Sequence, residues 1–367
     1  MLDDIDWGSL KHAYGRATDT RAHIVALTET DPEAWEVAID HLYVAVLHQG
    51  FPEKATAPAA RVLTHLLAEG DIAPGARAAV IEYLGAVADA TAMAEEEKYW
   101  RRLLPGLQEA IRQSCPVVFS FLDNEDPRLR NTAGEAAVSH VKTLALAEEK
   151  PVVIALLRRW ADHLPTNRAR WVLRLGELGD DIQWFLTHPD TDVRVCAALA
   201  ESVAHSETAT DIIITALSDE ADRLRQAGTP EPDDGPVDSL EEYATAVWEA
   251  STRLYSLADL VSAALARAGF HRIAEPAMTI IRHSNWTLVD TTWGPLVRAA
   301  FPTHRRRRRR RAVERPVGLS AVQRDVVAAL VANPRIWDYQ NGNVSSVFMD
   351  AGLPFERETC AQIARES

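Results

Sequence analysis

An acidic turn followed by arginine and small residues at helical spacing occurs twice in this chain, and it constrains the fold more than any other feature. In the first copy Asp126, Pro127, Arg128, Leu129 and Arg130 precede Ala133, Ala136 and Ala137; in the second, Asp190, Thr191, Asp192, Val193 and Arg194 precede Ala197 and Ala198. Recurrence of this kind marks a repeated two-helix unit. One such unit cannot bury its apolar stripe alone, so neighbours must stack into a curved array with a long concave wall. The expected fold is all-α: an α-solenoid of stacked helical hairpins with an irregular C-terminal cap.

Helix signals dominate up to about residue 225. Asp31 and Pro32 read as cap and first turn, after which Trp35, Ala38, Leu42, Ala45 and Val46 share one face until Gly50 and Pro52 end the helix. Thr56 to Glu69 carries its own stripe and stops at Gly70, a good C-terminal cap residue. Further helical stretches are expected at Ala76 to Val87, at Leu107 to Leu122 with a break or kink at Pro116, and at Asn167 to Gly176. Strand-like alternation with hairpin turns is not evident.

Composition shifts divide the chain. Residues 1–227 read as the repeat region, and 228–238 (GTPEPDDGPVD) as an acidic Pro/Gly linker that cannot pack as a helix. Residues 239–301 read as a helical continuation opening with one long helix, Ser239 to Ala268, capped by Ser239. An Arg-rich linker covers 302–316. A C-terminal helical cap covers 317–367, where Ser320 starts a helix that Asn333 and Pro334 end.

Charge limits the choice of partner. The formal net charge is −14, which repels nucleic acid and anionic membranes at long range and makes a DNA-coating protein a poor expectation. Against that average, Arg267 to Arg315 holds twelve Arg against Glu275, Asp290 and Glu314, a local +9 that includes the run Arg305 to Arg311. Like charges at i and i+4 oppose helix formation, so the run reads first as an exposed linker, with pairing to the acidic stretch Asp219 to Glu242 or contact with a polyanion as the alternatives. Basic residues other than Lys11, Lys54, Lys98, Lys142 and Lys150 are all Arg, a bias that codon usage explains as well as chemistry does. Cys115, Cys196 and Cys360 are odd in number and widely spaced, which suits a reducing interior. The acidic start and the lack of an apolar run of ~20 residues lead to the expectation of a cytoplasmic protein with no membrane contact.

DPRLRNTAGEAA and TDVRVCAALA are similar to the second helix of a HEAT hairpin, with its turn Asp, its Arg and its small-residue face. WGSLKHAYG (Trp7 to Gly15), HLYVAVLHQG (His41 to Gly50), NPRIWDYQNGN and AGLP (Asn333 to Pro354) further resemble a group of bacterial HEAT-repeat domain-containing proteins. The resemblance covers most of the chain, although 228–316 matches nothing in that pattern. It implies HEAT-like hairpins forming a scaffold, of a regulatory or immunity kind, rather than a defined reaction; the expected function is non-catalytic binding of a partner protein through the concave face. HEAT-like folds also resemble alkylpurine DNA glycosylases, but the repeat region here is acidic and nearly free of Lys, so nucleic acid is not the expected partner.

Candidate binding residues are those the repeat presents: Arg128, Arg130, Arg170, Arg174 and Arg194, with Trp171 beside Arg170. In a stacked array such arginines bridge to the turn carboxylates Asp126, Asp190 or Asp192 as a structural ladder. Alternatively their planar forks grip phosphate, sulfate or carboxylate on the concave wall. Trp171 is either core or a stacking partner. His140 is the one candidate proton carrier in an enzyme of the lyase or natural-product type that takes a small anionic substrate through Arg130, Arg170 and Arg194. That enzyme is the alternative to the non-catalytic scaffold. No phosphate loop, dinucleotide turn, serine elbow, HExxH or CxxC occurs, so no cofactor and no metal are expected. The one suggestive histidine grouping is His41 and His48, seven apart on one helix face, with His12 or His65.

Overall fold

A computed structural model describes residues 2–227, 254–302, 318–337 and 342–365. The acidic linker 228–238, the first part of the expected helix from Ser239 and the run Arg305 to Arg311 lie outside the described residues. Packing divides the chain into two units, Met1–Leu164 and Pro165–Ser367. The division falls inside the stretch 1–227 that composition treats as one region.

The first unit begins with a small antiparallel hairpin, β1 (Lys11–His12) and β2 (Gly15–Arg16). Two-residue strands are too short to show an alternation, so sequence periodicity misses them. Seven helices follow: α1 (Thr20–Ala26), α2 (Pro32–His41), α3 (Thr56–Glu69), α4 (Arg77–Glu96), α5 (Leu104–Phe119), α6 (Pro127–Lys142) and α7 (Lys150–His163). Local chemistry sets their ends. The Asp31 side chain accepts the Glu33 N–H ahead of Pro32, and the Asp126 side chain accepts the Arg128 N–H ahead of Pro127. Gly70 closes α3 in the left-handed region at φ 81°. Contrary to expectation, α5 runs through Pro116 to Phe119; the proline sits in the last turn, where its missing N–H removes a single ladder bond.

Helices α3 and α4 form one hairpin and α5 and α6 the next, with α3 on α5 and α4 on α6. The inner seam is α4 against α6. Val80, Ile81, Tyr83, Leu84, Val87 and Ala88 of α4 are wholly buried, which is the pattern of a helix covered on most of its surface. Gly85 lets the two backbones approach, and Ser139 Oγ donates to Asp89 Oδ2 at 2.9 Å across the same seam.

The second unit contains α8 (Arg168–Glu177), α9 (Thr191–Ala198), α10 (Glu207–Ala227), α11 (Leu257–Arg272), α12 (Ala274–His283), α13 (Gly294–Ala300), α14 (Ala321–Ala332), α15 (Gly342–Ala351) and α16 (Arg357–Arg365). Among the described helices, α10 packs on both α11 and α12, α11 on α13, α12 on α14, α13 on α15 and α14 on α16. The helix expected from Ser239 to Ala268 is not continuous. Ser256 starts α11 with a reciprocal capping box to Asp259, and Gly269 interrupts it at φ 71°. Ser320 caps α14 in the same way with Gln323.

Asn333 holds the C-terminal region together. Its buried Nδ2 donates to the carbonyls of Ile281 at 2.7 Å and Ser284 at 2.6 Å, while its Oδ1 accepts the Arg335 N–H. Trp337, Phe348 and Phe355 pack ring on ring beside it. Among the described residues no helix is long and apolar enough to cross a membrane, and the three cysteines are buried and unpaired.

Candidate functional site

Arg130 and Arg194 bond to backbone carbonyls of their own turns instead of bridging to a turn carboxylate of a neighbouring unit. Arg130 Nη1 donates to the Asn124 carbonyl at 3.2 Å, and Arg194 Nη1 donates to the His188 and Pro189 carbonyls at 2.7 and 2.9 Å. Each guanidinium thus turns back to a carbonyl six residues earlier, in the turn that leads into its own helix. The turn carboxylates are occupied as well, those of Asp126 and Asp190 by their own helix starts and that of Asp192 by a distant tyrosine. Asp126 accepts the Arg128 N–H, Asp190 accepts those of Asp192 and Val193, and Asp192 accepts the Tyr255 hydroxyl at 3.2 Å. The two copies agree one position further out, because Asn124 Oδ1 accepts the Asp126 N–H as His188 Nδ1 accepts the Asp190 N–H.

The remaining sequence candidates scatter. Arg128 is exposed, Arg170 is half-buried on α8, and Arg174 pairs with Glu177 one turn along the same helix. Trp171 is fully buried, so it belongs to the core rather than to a stacking surface. The groove beside Arg194, between α9 and α10, is also lined by Asp211 and Asp219, which opposes an anion. His140 is wholly buried. Its Nδ1 donates to the Ala136 carbonyl at 2.7 Å and its Nε2 stands 2.8 Å from Ser114 Oγ, so both nitrogens are engaged. Burial holds it neutral, pushed down to about 4 although the Ala136 bond works the other way. A ring sealed in this way has no access to a substrate, so it is a core residue and not a proton carrier.

The structure instead joins two of the segments that carry the sequence resemblance. After His41 the helix α2 loosens into a π-turn, Leu42–Val46, and ends at Leu47 with Gln49 at φ 53°. Carbonyls at a helix end need partners from outside the helix, and the hairpin supplies one: the Ala13 N–H donates to Ala45 O at 3.0 Å. On its other side the Lys11 carbonyl accepts the Ala55 N–H at 3.0 Å. This clamp sets His12 against the end of α2 and the start of α1.

There His12 Nε2 lies 3.0 Å from Asp19 Oδ1, and His41 Nε2 lies 3.1 Å from the buried Thr20 Oγ1. The His23 ring stacks on His41 with centroids 4.0 Å apart, and His12 meets His41 edge-on at 5.6 Å. Partial burial works against the Asp19 charge, yet the His12 hydrogen bond, its own backbone N–H and nearby His41 hold the carboxyl below its usual range. Burial first, and neighbouring His23 second, push His41 down to about 4. Of the histidines picked out by spacing, His12 and His41 come together. His48 donates to the Val44 carbonyl one turn back, and His65 is exposed on α3. Asp19, Thr20 and His23 carry no sequence signal, since their place depends on a tertiary fold.

One further surface stands out. The turn Lys98–Trp100 between α4 and α5 stacks Trp100 on Phe51 with centroids 5.0 Å apart and rings 9° from parallel, and Tyr99 meets Trp100 edge-on at 5.1 Å. Tyr99 is 84% exposed and Phe51 40%. Comparison with family models, with curated proteins and with solved structures gives no match to this chain.

Proposed function

We propose that the chain is a non-catalytic scaffold of HEAT-like helical hairpins, stacked as an α-solenoid, that binds a partner protein. The observation that carries this reading is the pairing of alternate helices, in which α3 packs on α5, α4 on α6 and, among the described helices, α11 on α13, α12 on α14, α13 on α15 and α14 on α16. Stacked hairpins of this kind present rows of side chains as an extended wall, and such walls are used to hold other macromolecules. Commitment of Arg130 and Arg194 to backbone carbonyls leaves the alternative, an enzyme with an Arg-lined anion pocket, with less to rest on. Phe51 and Tyr99, packed on the half-buried Trp100, supply the exposed aromatic anchors that protein interfaces favour.

Affinity purification from the native host tests the proposal. The intact chain should retain a stoichiometric protein that a Phe51→Ala, Tyr99→Ala double variant retains weakly or not at all. A chain that elutes alone, or with a small anion only, contradicts it.

A further inference from the structure

The group at His12, Asp19 and His41 leads beyond partner binding. One donor atom from each residue lies within 4.8 Å of the other two. First-row divalent ions hold nitrogen and oxygen donors at about 2.0–2.2 Å, so two donors on one ion stand roughly 3–4 Å apart. The 3.0 Å separation of His12 Nε2 and Asp19 Oδ1 is already close to such an edge. Three separate elements deliver the donors: β1, the residue preceding α1, and the last residue of α2. Burial is asymmetric, with the His12 side chain 5% exposed and that of Asp19 53% exposed, so the group is anchored on the protein side and open toward solvent.

We propose that His12, Asp19 and His41 bind one first-row divalent cation, with Zn²⁺ the best fit. Two imidazoles and a carboxylate match three-ligand zinc sites that keep an open position, whereas Ca²⁺ and Mg²⁺ take sets dominated by oxygen. His23, stacked against His41, stands beside the site as a further imidazole.

Binding has a structural consequence. The hydrogen-bond pattern assigns the His12 proton to Nε2, because Nδ1 accepts the Tyr14 N–H at 3.1 Å and Nε2 faces the Asp19 carboxylate. A neutral ring ligating through Nε2 carries its proton on Nδ1 instead. Coordination therefore shifts the tautomer and releases the Tyr14 N–H at the hairpin turn, while Asp19 exchanges the His12 hydrogen bond for the ion. The ion replaces a local hydrogen bond with a tie among β1, α1 and α2.

The test uses the intact chain without a histidine tag, stripped with chelator and titrated with Zn²⁺ in a calorimeter. One equivalent should bind, Asp19→Asn and His41→Gln should each weaken binding at least about tenfold, and His65→Gln should leave it unchanged. NMR of the wild-type imidazoles removes dependence on variant folding: the His12 and His41 ring signals should shift on Zn²⁺ addition, and the Tyr14 amide with them. Absence of uptake, uptake that both site variants retain at wild-type affinity, or unmoved His12 and His41 signals would overturn the assignment.

Discussion

A Cβ on Gly85 would lie 3.0 Å from the Cα of Ala136 and 3.1 Å from its Cβ, so α4 and α6 meet at this point too closely for a methyl group unless the seam opens by a few tenths of an ångström. The obstacle is backbone, which cannot swing aside. Gly85→Ala gains helix propensity of about 0.5–1 kcal/mol but overpacks a seam where such insertions cost about 1–3 kcal/mol. The net effect is destabilisation, larger for Gly85→Val. Urea unfolding of the two variants should show the midpoint falling in that order.

His140 makes stability depend on pH. Its folded-state value of about 4 lies below the ordinary 6.5, so between those values the unfolded chain binds more protons than the folded one. The stabilising contribution is complete above pH 6.5 and is lost as pH falls toward 4, by about 3 kcal/mol in the limit. A His140→Gln variant lacks this titration. The difference in unfolding free energy between wild type and variant, followed from pH 7.5 to about 4, should narrow as the solution is acidified.

Arg267 caps a helix that is distant in sequence. Its guanidinium donates to Ala198 O, the last carbonyl of α9, and to the two carbonyls that follow it, Leu199 O at 3.2 Å and Ala200 O at 3.0 Å. A planar fork reaches all three; an ammonium does not. Arg267→Lys should therefore cost about 1–3 kcal/mol despite its unchanged charge, measured by thermal or urea unfolding.

Asn333→Ala strips the Ile281 and Ser284 carbonyls of a buried donor. Losing two buried hydrogen bonds costs about 2–4 kcal/mol. Proteolysis or hydrogen exchange should show α12 and α14 loosening together, since this side chain links them.

Capped helices were legible in the sequence because their signals are local. Asp31 with Pro32, Ser320, and Thr56 through Gly70 each act within a few residues, and the structure places those helix ends where they were expected. Arg130 and Arg194 occupy equivalent positions in the sequence pattern, but their contacts are not legible there, because reaching back to Asn124 and His188 depends on how the turn folds over the helix end. The π-turn at Leu42–Val46 was hidden, since its apolar spacing fits an ordinary helix equally well. The histidine group was half legible. His12 and His41 stood out by type, whereas Asp19 and His23 join them only once the hairpin is clamped to the end of α2.

Hydrogen exchange of the intact chain, alone and in complex with the protein that the affinity purification is expected to recover, tests the central claim most directly. The account predicts slowed exchange over the segments that contain Phe51 and Tyr99, accompanied by protection along the neighbouring helices of the wall. Unchanged exchange at both segments, in a complex that demonstrably forms, would contradict it.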